Sequence, residues 1–210
     1  MKGALVLHGE APSASDLALL RDCDLVVAAD GGALHLFGAS LVPDLIVGDL
    51  DGLGPQGIAD AQHRGVPLQR HDPRKDQTDG ELALEALLAE GPAEVLILGA
   101  HGGRTAHALA NLHLLRRCLA RGVPARMVGR GEELRLLGAG QRWDLGAPPG
   151  RLVNVLAEPP EARVLLRGLA WSGAVTLGAA SARGVSNRVV DADAAVEVEA
   201  GAALVVLEAQ

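Results

Sequence analysis

Aromatic side chains are almost missing from this 210-residue chain: Phe37, Trp143 and Trp171 are the whole set, and tyrosine is absent. A chain so poor in flat rings offers no platform for stacking the bases of a single strand. Positive charge is also short, with 19 Lys and Arg against 26 Asp and Glu, a net charge of −7. General nucleic-acid binders and anionic-membrane binders rest on a basic surface, so both classes are disfavoured. A nucleotide partner stays open, because Mg²⁺ can neutralise phosphates that face carboxylates. The only cysteines, Cys23 and Cys118, form no CxxC pair. They supply neither a disulfide framework nor a structural zinc site, and a reducing cytoplasmic setting is expected. The apolar run in MKGALVLHGEAPS is too short for a signal peptide, and no run of about 18 apolar residues is there to span a bilayer.

Familiar catalytic signatures are missing as well. The chain has no GxxxxGK[ST], no GxGxxG, no GxSxG and no HExxH. A P-loop, a dinucleotide-binding Rossmann turn, a serine-hydrolase elbow and a zinc-peptidase helix are therefore excluded.

What is present is an ordinary globular composition, 49% hydrophobic and 21% charged, enough for one large domain or two small ones. Up to about residue 130, short apolar runs (4–7, 24–30, 44–49, 93–99 and 125–129) alternate with helical patterns at 81–90 and 105–120. That alternation predicts βαβ units and a mainly parallel sheet. The texture changes across 129–140. Strand-like runs then recur at 151–157, 162–168, 174–178, 195–200 and 203–209, separated by turn signals. The expectation is an α/β domain over 1–130 and an antiparallel β-sandwich or barrel over 131–210.

Ligands of open α/β sheets bind beyond the carboxyl ends of the strands, and three acidic clusters fall there. Asp30 closes the second run and precedes Gly31 and Gly32; Asp49 closes the third, with Asp51 two residues on. In extended chain Asp49 and Asp51 project to one side, a pairing that suits Mg²⁺. A plain Asp-Gly turn explains DLDG equally well. The third cluster is KDQTD. Asp76 as N-cap with Asp79 in the first turn describes a capped helix start. Lys75 opposes that dipole, so it is read as a phosphate partner.

The segment LGAHGGRTAHALAN (98–111) ends a strand in glycines and opens a helix. Such a turn lets a phosphate approach backbone N–H groups. Arg104, His107 and Asn111 share one helical stripe, bordering an apolar one of Ala108, Leu112, Leu115 and Leu119. An arginine in the first turn points to anion binding. An acidic rim with two cations suggests metal-assisted phosphoryl or pyrophosphoryl transfer.

The ordered set AADGGALHL, PDLIVGDLDG, KDQTDGELAL, GAHGGRTAHALANL and GLAW…GVSN resembles the thiamine pyrophosphokinase family across about residues 26–190. The resemblance implies a homodimer with active sites between subunits, and transfer of pyrophosphate from ATP to thiamine with release of AMP. It implies Asp49, Asp51 and Asp79 as Mg²⁺ ligands, joined by Arg104 as the catalytic set. It implies Asp30, Gly31, Gly32, Lys75, Asp76, Gln77, Thr78, Arg104 and His107 as nucleotide contacts. Trp171, Ser186 and Asn187 would meet thiamine. A loose transition state demands no strong base, and Asp76 is only a candidate to accept the hydroxyl proton.

Three motifs depart from the family pattern, at four positions. Leu34 replaces its asparagine, GDLDG (48–52) replaces GDFDS, and Ala106 replaces the aspartate of GRxDH. Asp72, Glu81 or a partner-subunit group would have to compensate for Ala106. The alternatives are a pyrophosphokinase homologue with another alcohol acceptor, a non-catalytic nucleotide or thiamine binder, and a haloacid-dehalogenase-like phosphatase built on Asp49 and Asp51.

Overall fold

The computed structural model describes residues 1–208. The chain divides into two compact units, Met1–Arg130 and Gly131–Gln210. Within the described residues no helix is long and apolar enough to cross a membrane.

In the first unit six strands are laid down in chain order: β1 (Lys2–Val6), β2 (Leu25–Ala29), β3 (Leu45–Gly48), β4 (Leu68–Arg70), β5 (Glu94–Leu98) and β6 (Ala125–Gly129). They pair wholly in parallel in the order β6-β5-β1-β2-β3-β4. The parallel sheet thus matches the alternation of apolar runs with helical segments. Five helices connect the strands: α1 (Ala14–Ala18), α2 (Gly32–Gly38), α3 (Gly54–His63), α4 (Asp79–Ala89) and α5 (Thr105–Ala120). The short helices α1 to α3 and strand β4 carry no clear periodic signal. Glycine begins both α2 and α3, and glycine disfavours helix interiors by roughly 1 kcal/mol. Packing rather than propensity decides these pieces. Val6, Ala28, Ile46 and Leu98 from neighbouring strands bury together with Ala33 and Leu36 of α2.

On α5 the buried residues are Leu114, Leu115 and Cys118. The apolar stripe is therefore rotated from the one expected, and Ala108, Leu112 and Leu119 stay partly exposed. Both cysteines are free, and burial pushes the Cys118 thiol up to about 11.

The second unit is antiparallel. Its strands are β7 (Glu132–Gly138), β8 (Arg142–Asp144), β9 (Leu152–Ala157), β10 (Glu161–Arg167), β11 (Gly173–Gly178), β12 (Asn187–Arg188), β13 (Ala195–Ala200) and β14 (Ala202–Glu208). The run expected to reach residue 209 ends in β14 at Glu208, and Ala209 lies outside the described residues. One set pairs as β12-β9-β14-β7 and the other as β11-β10-β13-β8. Burial alternates along β10, and Val153, Val155 and Val205 from one set share a core with Val164, Leu166 and Val196 from the other. Two sheets with their alternate residues facing a common apolar layer make a β-sandwich.

Candidate active site

The order β6-β5-β1-β2-β3-β4 reverses direction at β1, because the chain leaves β1 towards β4 and returns to lay β5 on the other side. A crevice opens beyond the strand ends at such a reversal. Here the segments leaving β1 and β5 stay zipped for a short distance, with the Gly9 N–H donating to the Gly99 carbonyl at 2.9 Å. Beyond them lies a cleft of about 630 Å³, lined by the segments after β1, β2, β3 and β5 and by the approach to α4.

Asp30 is the buried anchor of this cleft, only 6% exposed and in the left-handed region at φ 46°. Its two carboxylate oxygens accept the Gly52 N–H at 2.9 Å and the Leu53 N–H at 3.0 Å. Burial pushes its carboxyl above the usual range, against the pull of those N–H groups. A Cβ at Gly52 would overlap the Asp30 carboxylate as it stands, so glycine lets that carboxylate sit close under the turn.

Asp49 and Asp51 do not lie on extended chain as expected. Strand β3 stops at Gly48, Leu50 turns left-handed at φ 71°, and Asp51 lies in a turn whose N–H donates to Asp49 Oδ1 at 3.3 Å. That turn, with Asp30 beneath it, gathers oxygens of Asp30, Asp49 and Asp51 within 4.8 Å of one another. Asp79 is held differently. It accepts the Asp49 N–H at 3.1 Å and pairs with Lys75 at 2.8 Å. Lys75 also reaches Asp49 at 2.7 Å, with its side chain 14% exposed. Its hydrogen bond holds the Asp49 carboxyl below the usual range. Burial works against the Lys75 ammonium, but its two carboxylate partners outweigh burial and raise its pKa.

The start of α4 is capped by Thr78, not by Asp76. The Thr78 hydroxyl accepts the Glu81 N–H at 3.2 Å, and the Glu81 carboxylate accepts the Thr78 N–H at 2.9 Å. This reciprocal threonine–glutamate box satisfies two helix-end donors, which the expected Asp76 cap would not do. Asp76 is exposed and off the cleft wall. Gln77 and Thr78 do line the cleft. From behind, Arg117 of α5 donates to Glu81 at 2.7 Å and Glu85 at 2.6 Å, while the Gln77 amide donates to Glu85 at 2.8 Å. One guanidinium thus secures the segment that carries Lys75 and Asp79.

Across the cleft, Gly102 and Gly103 both take positive φ, and Arg104 stands at the N-terminal boundary of α5. Arg104 and His107 are exposed and line the cleft, while the Asn111 amide ties the helix back to the Ala100 carbonyl at 2.8 Å. Ala106 is exposed and off the wall. The two named carboxylates that would compensate for it are engaged elsewhere: Asp72 with Arg74, and Glu81 in the cap. Gly31 and Gly32 are buried rather than cleft-lining. A Cβ on either would strike His8 or the Val6 carbonyl, so they let α2 start close against β1. His8 itself lines the cleft and was missed in the sequence. Its place just past the first strand was the available signal.

In the second unit Trp171, Ser186 and Asn187 come together. The buried Asn187 accepts the Trp171 N–H at 3.0 Å and donates to the Trp171 carbonyl at 2.7 Å. Asn187 therefore fixes the backbone that presents the indole. Ser186 is exposed at φ 63°, with its N–H donating to Asn154 at 2.8 Å.

Residues 17–127 match the family model described as the thiamin pyrophosphokinase catalytic domain. The chain belongs to this family. A thiamine pyrophosphokinase of Bacillus subtilis (strain 168) is 28% identical over 117 residues, 56% of this chain and 55% of the other. The chain thus spans about half the length of the curated relative it matches. Among solved structures, the Bacillus subtilis thiamine pyrophosphokinase superposes with a TM-score of 0.88 at 20% identity, each chain fully covered. A thiamin pyrophosphokinase family protein of Enterococcus faecalis gives 0.80 at 26% identity, again with full coverage of both. The Candida albicans thiamin pyrophosphokinase gives 0.80 at 16% identity, covering all of this chain and 90% of the other. The likenesses to the Bacillus and Candida structures speak for the fold.

Proposed function

We propose that this chain transfers a diphosphoryl group from Mg²⁺–ATP to the hydroxyl of thiamine, forming thiamine diphosphate and AMP. The observation that carries the reading is the meeting of Asp30, Asp49 and Asp51 beside Lys75 in the strand-end cleft of a thiamin pyrophosphokinase fold. Three hard carboxylates fit Mg²⁺, which takes one or two protein oxygens together with water and phosphate. Asp49 and Asp51 are the ligands of choice, with Asp79 or Asp30 completing the set. Bound there, the ion would offset charge on the phosphates as they react.

The remaining work falls to the chain's own groups. Lys75 and Arg104 stand on different segments of the cleft and supply fixed positive charge to a triphosphate between them. Gln77, Thr78 and His107 complete the nucleotide wall. The thiamine oxygen bonds to the β-phosphorus, the bond from that phosphorus to the bridging oxygen breaks, AMP departs with that oxygen, and the hydroxyl proton passes to solvent. A loose transition state of this kind asks for positioning and charge more than for a strong base. That suits a cleft that lacks Asp76 on its wall. The unit over 131–210 receives thiamine at Trp171, with Ser186 beside it and Asn187 holding the indole in place. The reading includes a cytoplasmic homodimer with active sites between subunits.

The test is to incubate purified protein with ATP, Mg²⁺ and thiamine, and to measure AMP and thiamine diphosphate. Equimolar appearance of both is expected. Inorganic phosphate without AMP would instead favour the phosphatase alternative, and tight binding of both substrates without AMP a non-catalytic binder.

A further inference from the structure

We propose that Arg183 is a specificity-determining residue, a built-in cation that competes with the acceptor for the indole of Trp171; this rests on the reading that Trp171 receives thiamine. The Trp171 ring packs against the core of its sandwich, and the Arg183 guanidinium stands over it at 5.1 Å from the ring centroid. Trp171 has little freedom to retreat, because Asn187 holds its backbone N–H and carbonyl together. Arg183 is exposed and lies in the segment between β11 and β12, its N–H donating to the Ser181 hydroxyl at 3.2 Å.

The other tryptophan supplies the contrast. Trp143 is only 5% exposed beneath Arg135, at 4.4 Å. Arg135 is itself held by the Glu133 carboxylate at 2.6 Å. There the ring is buried and the cation over it already has a carboxylate partner. Among the described residues no carboxylate pairs with Arg183, so its positive charge is uncompensated at the one indole that is partly open. Electron-rich ring faces attract cations, and Trp attracts them best. Two cations cannot share one face. A thiazolium arriving at Trp171 must displace the guanidinium and then bind beside its charge, whereas a neutral ring meets only the displacement. Arg183 therefore lowers affinity for the cationic acceptor and narrows its advantage over neutral rings.

The experiment is calorimetric titration of the whole chain, without ATP, using thiamine and a neutral aminopyrimidine alcohol as probes. In Arg183→Leu the thiamine Kd is expected to fall about two- to fivefold, the worth of one exposed cation–π contact, with a smaller change for the neutral probe. In the Trp171→Ala background the same substitution is expected to leave thiamine affinity unchanged. If Trp171→Ala weakens thiamine binding but Arg183→Leu leaves it equal or weaker, Arg183 is no competitor and the proposal falls alone. An equal gain with and without the indole also overturns it. If Trp171→Ala binds thiamine like the parent chain, the acceptor reading and the proposal fall together. Trp171→Phe, which keeps an aromatic ring against the core, guards against misreading a folding defect of the alanine variant.

Discussion

Asp30 serves two ends at once: it brings a carboxylate beside those of Asp49 and Asp51 and anchors the turn that carries them. An amide in its place keeps only one acceptor oxygen, so either Gly52 or Leu53 would turn its N–H towards a donor. Asp30→Asn is expected to destabilise the chain by about 1–3 kcal/mol, the cost of a buried donor without its acceptor, read from urea midpoints. Asp51→Asn acts on the cleft, and Asp49→Asn also gives up the charge paired with Lys75. They are expected to lower Mn²⁺ affinity and to cut AMP formation by orders of magnitude with far-ultraviolet circular dichroism unchanged; near-parental turnover would remove the metal-site assignment. At this scale the sequence showed which carboxylates stand near strand ends, since residue type and strand periodicity are local. It did not show that Asp30 turns inward or that Leu50 adopts left-handed backbone. Both follow from hydrogen bonds between segments distant in sequence.

Among the elements, α4 and α5 decide how firmly the Lys75 segment is held. Glu81 and Glu85 lie four residues apart on α4, where like charges repel, and Arg117 bridges the two and offsets that repulsion. The Glu81 carboxyl is opposed by burial but held below its usual range by the Thr78 N–H and Arg117. Arg117→Met is expected to raise the KM for ATP several-fold and lower stability by about 1 kcal/mol, modest because the pair is partly solvated. Arg117→Lys should restore only part of the KM, since an ammonium lacks the two-pronged geometry. A loss of stability with KM unmoved would make the clamp merely structural. The long helices were legible from periodicity. The Thr78 cap was readable in the Thr-Asp-Gly-Glu spacing, yet Asp76 was the expected cap because aspartate is a strong capping residue. Helix α3 was hidden because Gly57 serves packing: a Cβ there would meet Leu53 and Leu34.

For the molecule as a whole, the displaced carboxyl groups set the response to acid. Asp49 and Glu81 have lowered native pKa values, so their contribution is complete above the ordinary carboxylate range and disappears as pH falls through the native values. Asp30, raised by burial, acts in the opposite sense: protonation relieves its cost as pH falls from its native value towards the unfolded one. Urea midpoints are expected to stay level or rise slightly as pH approaches the ordinary carboxylate range from above, then drop below it. Asp30→Asn should lack the rise and keep the drop. Loss of midpoint beginning near neutrality would contradict these assignments.

The amino-acid order alone determined that parallel βαβ structure gives way to antiparallel strands, and that acidic and basic residues gather at strand ends beside a glycine-rich helix start. These are patterns of neighbouring residues, set by which face each element must bury. Only the tertiary structure decided that β1 is the strand at which the sheet reverses, that Asp30 comes up beside Asp49 and Asp51 while Asp79 pairs with Lys75, and that Arg183 lies over Trp171. Each depends on chain segments meeting across long sequence separations, where packing and shared hydrogen bonds select among partners that local patterns leave equivalent.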